Sequence, residues 1–119
     1  MREIEEGLNH FCKAYEYLWR VVSGTQYYNY IKNKMYNLKV KGKKSYVLTV
    51  EPETAHFEEG ESGWVAATVE MEEEDWKSVF RGEANFASVA AADRLVVNKD
   101  AQNTALALGM VMQLLSLLK

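Results

Sequence analysis

Histidine and cysteine are the side chains from which reactive sites are most readily built near neutral pH. This sequence holds two histidines, His10 and His56, and one cysteine, Cys12. His10 falls on the polar side of an apolar stripe and His56 in a short alternating stretch, and neither has Cys, Asp or Ser at motif spacing. A triad or a metal centre has no partner residues to draw on. A lone cysteine excludes an intrachain disulfide and a thiolate cluster. The acidic run Glu70, Glu72, Glu73, Glu74 and Asp75 lacks the alternating ligands and central glycine of a calcium loop, so it reads as a charged helix start. Gly82 to Asn85 carries one glycine, too few for a phosphate cradle, and no P-loop or dinucleotide fingerprint occurs. No nucleophile elbow occurs either. No enzyme activity, metal or cofactor is expected.

The remaining candidate is binding by charge and stacking. Lys32, Lys34, Lys39, Lys41, Lys43 and Lys44 interleave with Tyr27, Tyr28, Tyr30 and Tyr36, a composition that can stack single-stranded bases. Strand alternation turns Tyr36 away from Lys39 and Lys41, which splits the platform. A net charge of -3 offers no concentrated positive footprint. Nucleic acid is therefore not expected as a partner. The lysines read as protection of a solvated sheet edge, with transient contact to an anionic membrane surface as their other use.

The elements that would position a site follow from periodicity. The 119 residues form one domain, 1–119, with 48% hydrophobic and 26% charged residues and no repeat or linker. Ile4, Leu8, Phe11, Tyr15, Leu18, Trp19 and Val22 recur at steps of three and four, predicting a helix over 2–22 that Ser23-Gly24 stops with a left-handed cap. Residues 25–33 fit a short helix or an extended approach. From Lys34 the period becomes two: Tyr36, Leu38 and Val40, a turn at Gly42, then Tyr46, Leu48 and Val50 up to Pro52. A weaker strand over 55–58 and another over 64–71, with Val65, Ala67, Val69 and Met71 on one face, extend this to an antiparallel meander. Residues 72–81 read as a helix with an acidic first turn, closed by Gly82. A short helix over 85–92, a strand at Leu95-Val96-Val97 and a final helix capped by Asp100 complete the chain. The N-terminus shows no signal-peptide pattern and the apolar C-terminal run of about 13 residues is too short to span a bilayer. A cytoplasmic domain is the expectation.

The order of the second half resembles the sterol carrier protein 2 (SCP-2-like) family over about residues 64–118. Asp75, Trp76, Gly82, Asn85, Phe86, Arg94, Leu95, Val97, Asp100, Leu106 and Leu108 fall at positions of the family pattern. Asp93 and Lys99 stand where the pattern has glycines, both at turns where other residues can substitute. The resemblance implies an α+β fold: a five-stranded, mainly antiparallel sheet with helices packed on one face and an apolar tunnel between them. It carries over no catalytic residue.

The final helix is apolar around most of its circumference, whereas a helix lying on a sheet needs an arc only somewhat wider than about 100°. Gln102, Gly109, Gln113 and Ser116 form a polar stripe. Ala107, Val111, Leu114, Leu115 and Leu118 lie opposite as expected core, and Leu106, Met110 and Leu117 flank the polar stripe. Three covers compete for the excess: the N-terminal helix, a bound apolar ligand, or a second copy in a homodimer. Met110 and Met112 suit adaptable contacts. Periodicity and the family layout together nominate Trp76, Phe80, Phe86, Val89, Leu106, Met110, Leu114 and Leu117 as ligand lining. The function expected is non-catalytic binding or carriage of a fatty acyl, isoprenoid or sterol-like lipid. An interaction or dimerisation module without a transported ligand is the alternative.

Overall fold

A computed structural model describes residues 1–118 of the chain. Helix α1 (Arg2–Val22) follows the apolar stripe and buries Ile4, Leu8, Phe11, Cys12, Tyr15 and Val22. Its last turn bends at Leu18, whose φ and ψ are -119° and 15°. Gly24 does not take the left-handed conformation expected of it. Hydroxyls close the helix instead: Ser23 Oγ donates to Arg20 O at 2.8 Å and Thr25 Oγ1 to Val22 O at 2.7 Å. The ambiguous segment holds one turn of helix, α2 (Tyr28–Ile31), with Ile31 buried.

Strands β1 (Lys34–Val40), β2 (Ser45–Val50) and β3 (Ala55–Glu59) form the meander that alternation predicts. β4 (Ala67–Met71) does not continue it: it crosses to the far side of β1 and pairs with it in parallel, Leu38 opposite Val69. After α3 (Glu73–Phe80) and α4 (Phe86–Ala91), the two-residue strand β5 (Val96–Val97) pairs antiparallel with β4. The sheet order is β3-β2-β1-β4-β5, mixed but mainly antiparallel. β1 is thus the central strand, so the lysines at its end and in the following turn protect no sheet edge. Lys39, Lys41 and Lys44 pair instead with Glu61, Glu72 and Glu59 at 3.5, 3.7 and 3.3 Å, and Lys43 pairs with Glu73.

Tyr36, Leu38, Val40, Tyr46, Leu48, Val50, Ala67, Val69 and Met71 point from one sheet face into the core that the helices complete. On the other face the 60–66 connection is held by Asn37, whose amide donates to Ser62 O at 2.9 Å and accepts from Ser62 N at 3.0 Å. Trp64 in this connection is 90% exposed, so the fourth strand starts later than the sequence suggests. On the core side, Tyr15 Oη donates to Glu51 O at 2.8 Å and Tyr46 Oη to Glu5 Oε2 at 2.7 Å, fixing α1 across the meander.

The C-terminal helix α5 (Gln102–Ser116) starts from a 3₁₀ turn over Lys99–Ala101, and Asp100 lies inside that turn without capping the helix. Asn98 serves this corner differently, accepting from Thr68 N through its side chain at 2.8 Å.

Candidate functional site

The eight nominated lining residues separate into two groups of four. Trp76, Phe80, Phe86 and Val89 are buried. α3 starts with Glu73, Glu74 and Asp75, charges that suit a helix N-terminus, and this places Trp76 over the end of β1. There its indole Nε1 donates to Lys39 O at 2.8 Å. Phe80, one turn on, stacks on Trp76 at 6.0 Å between centroids, and Phe86 meets Trp76 edge-on at 5.8 Å. Gly82 turns the chain between α3 and α4 at φ +77°, a conformation that a side chain would strain.

α4 is short but firmly started. Asn85 accepts from Ser88 N at 2.8 Å while Ser88 Oγ accepts from Asn85 N at 3.0 Å, a reciprocal capping box. Asp93 holds the left-handed turn after α4 at φ 58°, doing without the glycine of the family pattern. Arg94 then returns to Asp75 through two nitrogens, at 3.0 and 3.1 Å, and ties the α4–β5 connection to α3.

Leu106, Met110, Leu114 and Leu117 form the second group, on the outer side of α5. Leu106 and Leu114 are 40% and 41% exposed, Leu117 is 68% exposed and Met110 is partly buried. Leu114 and Leu118, expected in the core, therefore face outward. Gly109 and Ser116, expected on a polar outer stripe, are buried. The cause is α4. A Cβ at Gly109 would lie 2.6 Å from Phe86 Cγ, so the missing side chain lets the ring seat against the α5 backbone. Gln113 accepts from Asn85 Nδ2 at 3.2 Å beside it. The stripe that looked solvent-facing is largely the seam with α3 and α4, which rotates the uncovered arc onto leucines and a methionine.

Three open clefts meet around Leu106. One of about 390 Å³ lies between α5 and β5, lined by Ala90, Leu95, Val96, Val97, Gln102 and Leu106. A second, about 320 Å³, lies against α2 and is lined by Gln26, Tyr27, Tyr30, Asn103, Leu106, Ala107 and Met110. The third, about 250 Å³, opens over the α4–α5 seam at Asn85, Phe86, Ala87, Leu106, Gly109 and Met110. Of the buried group, Phe86 reaches one of these three clefts, and Phe80 reaches a separate one between α1 and α3. Sequence reasoning missed the contributions of α2 and β5. The apolar run Leu95-Val96-Val97 was visible, but periodicity could not place it beside Leu106.

The residues capable of chemistry are occupied or inert. Burial pushes the Cys12 thiol up to about 12, far from a nucleophilic thiolate. His10 Nε2 donates to Leu115 O at 3.1 Å, joining α1 to α5. Hydrogen bonds from Lys43 and Lys77 hold the Glu73 carboxyl down near about 2. Among the described residues no group of three or more His, Cys, Asp or Glu could hold a metal, and no helix is long and apolar enough to cross a membrane.

A family model described as the SCP-2 sterol transfer family matches residues 22–113, reaching well beyond the second half in which the sequence alone carried the resemblance. Among solved structures, the chain is similar to a "UbiJ-SCP2 Ubiquinone synthesis protein" at 19% identity and a TM-score of 0.66, over 96% of this chain and 88% of that one. It is similar to a sterol carrier protein 2 at 15% identity and 0.61, covering 93% and 94%. The palmitated SCP2L2 of Aedes aegypti follows at 12% and 0.60, covering 88% and 93%. No curated protein matches the chain significantly.

Proposed function

The chain belongs to the SCP-2 sterol transfer family, and from that premise we propose that it binds and carries an apolar lipid without chemically changing it. One observation carries the reading: Leu106 stands where three clefts converge on a helix face whose Leu106, Leu114 and Leu117 remain 40–68% exposed. The ligand is a fatty acyl, isoprenoid or sterol-like molecule. Leu106, Met110, Leu114 and Leu117 form its outer bed. Trp76, Phe80, Phe86 and Val89 form the wall of a tunnel between helices and sheet, entered by parting the α4–α5 seam at Phe86. Each methylene moved out of water is worth about 0.8 kcal/mol, so a long chain holds micromolar affinity after several kcal/mol of ordering costs. The protein works in the cytoplasm and touches membranes only in passing, since Lys39, Lys41, Lys43 and Lys44, four of the six lysines that would grip an anionic surface, are paired with glutamates.

Native mass spectrometry of the protein as purified, followed by solvent extraction, tests this directly: a co-purifying lipid of defined mass is expected. Met110→Glu should abolish lipid uptake and leave the circular-dichroism spectrum unchanged, because Met110 is only partly buried. Unchanged uptake would sink the assignment of the outer bed. The exposure of Leu117 and Leu118, at 68% and 54%, also favours a second reading, in which a second copy covers α5. Sedimentation showing a bare, concentration-dependent dimer would move the assignment there.

A further inference from the structure

The three clefts around Leu106 differ chemically from the other two described clefts. One of those lies between α1 and α3 and contains Glu3, Glu6, His10 and Arg81. The other lies between α1 and β3 and contains Lys13, Glu16 and His56. The three that meet at Leu106 have sixteen described lining residues between them, without a carboxylate, ammonium, guanidinium or imidazole. In a chain with 26% charged residues, about four would be expected by composition. The polar side chains present are neutral: the amide of Asn85 is engaged with Ser88 and Gln113, while the amides of Gln26, Gln102 and Asn103 donate and accept, as do the phenols of Tyr27 and Tyr30.

We propose that this groove selects apolar molecules whose head is oxygen-bearing but uncharged, such as an alcohol, ketone, quinone or ester, over ionised fatty acids. The inference rests on the groove being the ligand site. An alcohol or carbonyl entering among amides and phenols finds donors and acceptors to replace its water. A carboxylate finds no cation in the lining, and an ion taken out of water without a counter-charge is strongly disfavoured. Of the cations near the groove, Arg94 is bound to Asp75 at 3.0 Å and Lys32 lies 5.1 Å from the Tyr28 ring centre, while Lys99, in the 3₁₀ turn beside the first cleft, lines none of the three. The start of α5 offers an anion little. The 3₁₀ turn running into it has Ala101 N already donating to Asn98 O at 3.0 Å, and it holds one charge of each sign, Lys99 and Asp100, so it adds no net positive charge. A fatty acid would enter as the neutral acid.

Competition for bound Nile red, an uncharged fluorophore, tests the inference with dodecan-1-ol against dodecanoate at pH 8 and pH 6. The alcohol should displace the dye at least about tenfold more tightly at pH 8, with no dependence on pH. Dodecanoate should gain about tenfold per unit fall in pH, as the protonated fraction grows above its ordinary carboxyl range. Gln102→Lys, at an exposed position on the rim, should raise dodecanoate affinity at pH 8 and flatten its pH dependence. Equal displacement by both compounds at both pH values would overturn the selectivity and leave the groove standing. Displacement by neither would remove the groove as the ligand site and the inference with it.

Discussion

Trp76, Phe80, Phe86 and Val89 on one side, and Leu106, Met110, Leu114 and Leu117 on the other, are alike in composition and opposite in circumstance. The first group is enclosed, each ring held by a neighbour: Trp76 by the Lys39 carbonyl, Phe80 by the Gly7 backbone, Phe86 by that of Gly109. The second lies on one helix face that the neighbouring elements cover only in part, leaving Leu106, Leu114 and Leu117 exposed. A packed aromatic contributes to stability whether or not a ligand is present. An uncovered leucine contributes little until something covers it. Apolar character therefore marks both a core and a binding surface, and only the neighbours distinguish them.

Substitutions that separate stability from uptake break or sharpen this contrast. Trp76→Ala removes the centre of the enclosed group and its hydrogen bond, and should cost about 3–5 kcal/mol in urea unfolding; a change under 1 kcal/mol would mean the interior is loose. Gly109→Ala places a Cβ against the Phe86 ring, so that overpacking, partly offset by better helix propensity, should leave a loss of about 1–2 kcal/mol. Because Phe86 and Gly109 also line a cleft, lipid uptake should change as well. Leu117→Ser, on the exposed side, should shift stability by less than about 0.5 kcal/mol while weakening lipid binding. A large loss of stability there would place Leu117 in the core after all.

The elements with strict periods were legible. The three- and four-residue steps of α1 and the alternation of β1 and β2 set the outward faces without reference to the rest of the chain. The place of β4 was not, because alternation says which side chains point inward and nothing of which strand lies alongside. The same gap rotated α5. Stepping around the helix correctly grouped Leu106, Met110 and Leu117, but the core was placed opposite the polar residues, and Leu114 and Leu118 with it. Gly109, counted as polar, is the point of closest approach to α4. Its smallness was the available signal, since a glycine inside an otherwise apolar helix commonly admits a neighbour. Residue type alone suggests Asp100 as the cap, and the 3₁₀ turn moves the cap position on by one residue, to Ala101.

The far placement of β4 has a kinetic corollary. β1, β2 and β3 pair through short turns, whereas Asn37 on β1 and Thr68 on β4 are 31 residues apart. Closing so long a loop carries an entropic penalty that the meander does not face, and such non-local pairings slow folding. The expectation is that the meander forms first and that β4, β5 and the helices flanking them dock onto it later. Most residues lining the three clefts belong to the later part, with the segment around α2 supplying the rest. Native-state hydrogen exchange should show amides of α4 and β5 opening at lower free energy than those of β1 and β2. For the proposed carriage of lipid, this arrangement would let a ligand enter and leave by partial undocking while β1, β2 and β3 stay paired.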